Sequence, residues 1–140
     1  MFLLDTNVVS ERIAKRPEPA VVDWVASQQP DDVHVSAVTL GELRFGLERL
    51  AAGAKRRKLA AFLEVIEDDL EDRIIPFDRV VGVRWAAIRR RAELAKRTVP
   101  PLDAMLAATA EVHNLTLVTR NVRDFEGWGG PVFNPWPQPS

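Results

Sequence analysis

No cysteine occurs among the 140 residues, so disulfides, thiolate metal sites and thiol nucleophiles are excluded. Long apolar runs are missing as well: no segment approaches the ~18 uninterrupted apolar residues that a membrane helix needs. The start MFLLDTNVVSERIAKR carries no basic region ahead of its apolar stretch, and that stretch is too short for a signal peptide. A cytoplasmic protein without membrane contact is expected. An excess of charge of either sign is also absent, with 19 bases against 20 acids and a net charge of −1. Taken over the whole chain, that balance speaks against a nucleic-acid partner.

What is present is ordinary for a globular protein: 46% of residues are hydrophobic and 28% charged. The length fits a single domain, residues 1–140, with a core large enough to stand without staples. A Pro-rich tail over about residues 131–140 is expected to be extended.

Apolar patterning outlines the elements. Phe2–Leu4 reads as a buried strand running through Asp5, Thr6 and Asn7 into a turn or helix start. Residues 17–29 read as a helix with Val21, Val22, Trp24 and Val25 on its apolar face, and residues 33–35 as a second strand. Ser36 is a good N-cap for a helix over residues 37–52, where Leu40, Leu43, Leu47 and Leu50 form one stripe. A helix over residues 54–72 starts basic (Lys55, Arg56, Arg57, Lys58) and ends acidic, against its own dipole. A strand at 73–77, a helix at 78–97, a helix at 102–113, a strand at 116–119, a loop at 120–130 and a strand at Val132–Phe133 complete the chain. Short strands separated by helices, without two-residue hairpins, imply parallel pairing with helical crossovers. The expected fold is an α/β class, three-layer α/β/α sandwich on a short-stranded parallel sheet.

In an open parallel sheet, ligands bind at the carboxyl ends of the strands. Asp5 ends the first strand there, Asn121 and Asp124 follow the fourth, Glu42 sits early in the helix after the second, and Asp103 opens the helix leading to the fourth. Each has a plainer reading: Asp5 as an N-cap, Glu42 as the partner of Thr39 in a capping box, Asp103 as a dipole-favoured acid. Against these, Glu42 interrupts an apolar stripe with Val38 and Phe45, and Asp103 lies on a helix apolar nearly all round. Carboxylates brought together raise one another's pKa, and a hard divalent cation, Mg²⁺ or Mn²⁺, is the simplest compensation. Zinc would call for His or Cys.

The segments MFLLDTNVVSE, SAVTLGELRFGLERL, PPLDAMLAATA, LTLVTRNVRDF and VFNPW together resemble PIN-domain proteins, in particular the VapC/FitB-type ribonuclease toxins of bacterial toxin–antitoxin pairs. The resemblance spans about residues 2–136. It implies an Mg²⁺- or Mn²⁺-dependent endoribonuclease with an acidic pocket, an RNA substrate, a small cognate antitoxin that binds DNA, and a homodimer. Asp5, Glu42 and Asp103 match the three nearly universal acids of that family, with metal held chiefly by Asp5 and Asp103 and its water held or deprotonated by Glu42. Either Asn121 or Asp124 completes the site. Thr6 and Thr119 look like hydroxyls that orient the acids or a phosphate. The alternative within the resemblance is a catalytically weak module acting mainly as an antitoxin-bound DNA corepressor. A phosphoacceptor receiver-like domain lacks support, because its acidic pair at the first strand and its Lys after the last are not seen.

The near-zero net charge hides a division. Residues 1–50 carry 5 bases and 8 acids, residues 51–100 carry 12 and 8, and residues 101–140 carry 2 and 4. The basic middle, through Lys55–Lys58 and Arg84–Arg97, offers cations for phosphates flanking a cut. Trp24, Phe62 and Trp85 are expected in the core, Trp136 as an anchor of the tail, and His113 at a helix C-terminus.

Overall fold

The computed structural model describes residues 1–139; Ser140, the last residue of the expected tail, lies outside the described residues. Five strands, β1 (Phe2–Leu4), β2 (Val33–Ser36), β3 (Ile74–Ile75), β4 (Thr116–Val118) and β5 (Val132–Phe133), pair in parallel in the order β3-β2-β1-β4-β5. Parallel pairs need crossovers. Helices α1 (Thr6–Glu11), α2 (Pro19–Ser27), α3 (Ala37–Glu48), α4 (Ala54–Asp69), α5 (Arg79–Leu94) and α6 (Pro101–Val112) supply them.

Successive strand side chains point to opposite faces, and each face has its own core. Leu3 and Leu117 join Ile88, Leu106, Ala110 and Phe125, whereas Leu4, Val35 and Val118 join Val8, Val21, Leu43, Leu63 and Ile66. Helices α5 and α6 therefore cover one face and α1 to α4 the other, which is the expected three-layer sandwich. The sheet grows outward from β1 in both directions. Its topological switch lies between β1 and β4, so the carboxyl ends of those two strands form the natural crevice.

Local chemistry fixes the boundaries. The Ser36 hydroxyl accepts from the Val38 N–H at 3.0 Å to cap α3, and Asp78 accepts from the Val81 N–H at 3.0 Å to cap α5. Pro101 occupies the first turn of α6, and Asn114, in a left-handed conformation at φ 55°, ends it beyond His113. Trp136 is buried in the second core and holds the tail to the domain.

Several elements are shorter than their sequence pattern. The helix expected to reach residue 72 stops at Asp69 and continues as a 3₁₀ turn, Glu71–Arg73, because Arg73 folds back to donate to Val33 O at 3.1 Å and Asp69 O at 3.0 Å. The strand expected over 73–77 contracts to two residues, since only Ile74 and Ile75 find partners in β2 and Pro76 has no N–H to offer. Within the expected loop 120–130, Val122–Phe125 forms a 3₁₀ turn. The inverted charge of α4 also finds its reason: Arg56 donates to Leu47 O and Leu50 O, so the basic start of α4 satisfies carbonyls at the end of α3.

Candidate active site

Asp5 extends β1 by donating its N–H to Val118 O at 2.9 Å. One carboxylate oxygen, Oδ1, accepts from the Thr6 N–H at 2.6 Å and caps α1. The other, Oδ2, accepts from the Thr119 hydroxyl at 2.7 Å and from Asn7 Nδ2 at 3.3 Å. The N-cap reading and the site reading are thus both physically realised, on different oxygens. Burial pushes the Asp5 carboxyl above its ordinary pKa; the bonds from Thr119, Thr6 and Asn7 oppose that rise and the charge of Asp124 adds to it.

Glu42 projects from the second turn of α3, with Oε1 2.9 Å from the Thr6 hydroxyl. That hydroxyl is also 3.3 Å from Thr39 Oγ1. A hydroxyl has one proton, so the consistent relay runs from Thr39 to Thr6 to Glu42. The capping-box alternative for Glu42 and Thr39 gives way to Ser36, which already caps α3. The apolar stripe expected around Glu42 is corrected as well: Phe45 is 64% exposed and projects into solvent.

Asp103 is half-buried in the first turn of α6, where the helix dipole favours an acid. Its carboxyl is nevertheless pushed up to about 6, chiefly by burial and then by the negative charges of Asp5, Asp124 and Glu42. Asp124 lies exposed on the 3₁₀ turn after β4, with its N–H bonded to Asn121 O at 3.0 Å. Asn121 reaches the cluster through its backbone, donating to Thr119 Oγ1 at 3.1 Å. Thus Asp5, Glu42, Asp103 and Asp124 share one edge of the sheet and one electrostatic environment, with Thr6 and Thr119 hydrogen-bonded to two of them.

Among the described residues, the ion pairs are Arg44–Glu67, Arg73–Asp31, Arg84–Glu111, Arg90–Glu93 and Arg91–Glu111. None involves an acid of the cluster. Nor do three of its carboxylates stand close enough, among those residues, to form a ready-made chelate. An apolar cavity of about 570 Å³ lined by Val8, Val21, Phe62 and Ile66 opens on the α1–α4 face, and none of the four acids lines it. The cluster is therefore a partly open acidic edge, suited to a hard cation that keeps some of its own water.

Two contributors escaped the sequence reading. Asn7 braces Asp5 and accepts the Arg120 N–H at 3.4 Å, tying β1 to the loop after β4. Its position two residues after Asp5 is the signal that would have found it. Thr39 is fully buried behind Thr6; its place one turn before Glu42, on the same face of α3, is the signal for it.

A family model described as PIN domain matches residues 2–127. The chain is 41% identical to Toxin FitB from Neisseria gonorrhoeae, covering 97% of this chain and 99% of that protein. It is 35% identical to VapC ribonuclease Y4jK from Sinorhizobium fredii, covering 97% and 98%. A solved structure of FitAB bound to an IR36 DNA fragment superposes with a TM-score of 0.93 at 38% identity, covering 100% of this chain and 99% of that one. A family match across most of the chain, joined to relatives matched end to end, establishes that it belongs to the PIN-domain family, among the FitB- and VapC-type toxins.

Proposed function

We propose that this chain is a divalent-metal-dependent endoribonuclease toxin, hydrolysing RNA phosphodiester bonds and held inactive by a small DNA-binding antitoxin. The observation that carries this reading is the four-acid cluster at the β1/β4 crevice, which has no cationic side chain paired to it among the described residues. Relatives named as ribonucleases and a FitAB complex bound to DNA support the substrate and the partner. A homodimer belongs to the same reading.

The donor set fits Mg²⁺ or Mn²⁺: four carboxylates, with neither of the two histidines among them. Such an ion, when bound, lowers the pKa of a water and polarises the scissile phosphodiester. Asp5 and Asp103 are the residues that would hold it, with Asp124, whose charge acts on both, or Asn121, whose N–H bonds Thr119, to complete the site. Thr119 fixes the Asp5 carboxylate. Thr6 occupies Glu42 Oε1 and leaves Oε2 as the atom to take a proton from the attacking water.

Incubation of the purified protein with RNA and Mg²⁺ tests the reading. Cleavage leaving 5′-phosphate ends, abolished by EDTA and slowed at least about 100-fold by Asp5→Asn, is expected. An Asp5→Asn variant as fast as the native protein would overturn the assignment. The corepressor alternative rests on the DNA-bound FitAB structure. It prevails if expression of the chain without an antitoxin leaves growth unchanged, and fails if growth arrests and Asp103→Ala relieves the arrest.

A further inference from the structure

Of the arginines in the α5 cluster, Arg84 and Arg91 are spent on Glu111 and Arg90 on Glu93. Arg89 has no carboxylate partner among the described residues. Its guanidinium lies 4.9 Å above the Trp85 ring, and Trp85 donates its indole N–H to Pro101 O at 3.4 Å, two residues before Asp103. A second such pair is tied to Asp5. Arg120 lies 5.3 Å over the buried Trp136, and its N–H meets Asn7, which in turn holds Asp5. Arg120 also makes no ion pair among the described residues. Stacking on an indole holds a guanidinium in place without neutralising it, so all its donors stay available for an anion.

Two exposed guanidiniums without an ion-pair partner among the described residues are thus tied to the acid cluster, one through Trp85 and Pro101 to the segment bearing Asp103 and one through Asn7 to Asp5. Acids repel a polyanion, and cations set to either side are what an extended strand needs to lie across them. We infer that Arg89 and Arg120 grip the backbone phosphates of a single-stranded RNA on opposite sides of the cut; this inference rests on the ribonuclease reading above. A third stacked pair, Arg49 over Phe45, lies two helical turns beyond Glu42 and serves as the internal control.

The test is fluorescence anisotropy of a labelled single-stranded RNA of mixed sequence, bound to the full chain in EDTA over a salt series. Cleavage of the same RNA is followed in Mg²⁺. Arg89→Ala and Arg120→Ala should each weaken binding about 3- to 10-fold at low salt. Each should also reduce the slope of log affinity against log salt by about 0.7, and the double variant by about twice that. Arg49→Ala should bind as the native protein does, and Arg89→Lys should restore the slope, which a merely structural role for Arg89 would not predict. Native affinity and slope in the double variant, with RNA still cleaved by the native protein, would overturn the phosphate grip and leave the ribonuclease reading standing. A native protein that neither binds nor cleaves the RNA would overturn both.

Discussion

Glu111 shows how one carboxylate behaves when the fold provides for it. It lies on α6 and accepts from Arg84 at 2.9 Å, Arg91 at 2.9 Å and the Trp128 indole at 3.2 Å. Burial alone would raise its pKa, yet the bonds from Arg91, Arg84 and Trp128 together hold it below the ordinary carboxylate range. A group whose folded pKa is depressed stabilises the fold above its unfolded value, near 4.5, and loses that contribution as pH falls further. Glu111→Gln is therefore expected to cost about 1–2 kcal/mol at pH 7. Urea unfolding at pH 7 and again below pH 4 should show the native advantage shrinking. An advantage unchanged by acid would place Glu111's contribution in packing. The same arginines show why the charge run over residues 84–97 is not a run of free cations: Arg84, Arg90 and Arg91 each have a carboxylate partner, and sequence shows charge but not which partner a long side chain finds.

At the scale of elements, α6 joins the core to the site. Ala104, Ala107, Ala108 and Ala110 are fully buried, so small side chains let α5 and the sheet close on the helix whose first turn carries Asp103. Ala108→Leu should destabilise by about 1–3 kcal/mol through overpacking and reduce RNA cleavage as α6 shifts. A thermal melt and a cleavage assay read both. This helix was legible because its apolar residues run all round it, and Asp103 stood out as an acid in that setting. The strands were legible from short apolar runs, and Ser36 and Asp78 marked their helix starts. Strand order was not legible, because it depends on which crossovers pack on which face, nor was the shortness of β3, fixed by where β2 offers partners. Asp5, Glu42 and Asp103 stood out by their places at a strand end and near helix starts, and the structure brings their charges within reach of one another. What the sequence could not show is the 3₁₀ turn Val122–Phe125, which carries Asp124 near enough for its charge to act on Asp5 and Asp103 while the Asn121 N–H bonds Thr119.

Across the whole molecule, the acidic edge works against the stability of the fold that bears it. Asp103 has a folded pKa near 6 against an ordinary 3.8. The folded state thus holds its proton more tightly than the unfolded chain, and ion-free stability rises as pH falls from 7 through 6 toward 4. Asp5 is raised as well and adds to the same trend. Glu111 acts in the opposite direction but only below about 4.5, so the window from pH 5 to 7 isolates the cluster. Asp103→Asn removes the costly charge and should stabilise the ion-free protein by about 1 kcal/mol at pH 7, after allowance for solvent screening. Ion binding should do for the native protein what the substitution does for the variant. With Mg²⁺ at about 100 times its Kd, mass action adds about 2.7 kcal/mol, and the increment should fade below pH 6 as protons compete for the same oxygens. Thermal melts in EDTA and in Mg²⁺, at pH 5 and pH 7, read these effects together. The expected pattern is a Mg²⁺-dependent rise in Tm at pH 7 that shrinks at pH 5 and is lost in Asp103→Asn, alongside a higher ion-free Tm in that variant. An ion-free variant less stable than the native protein would mean that Asp103 is held by favourable contacts, and the cluster would then be a structural feature rather than a strained ion site.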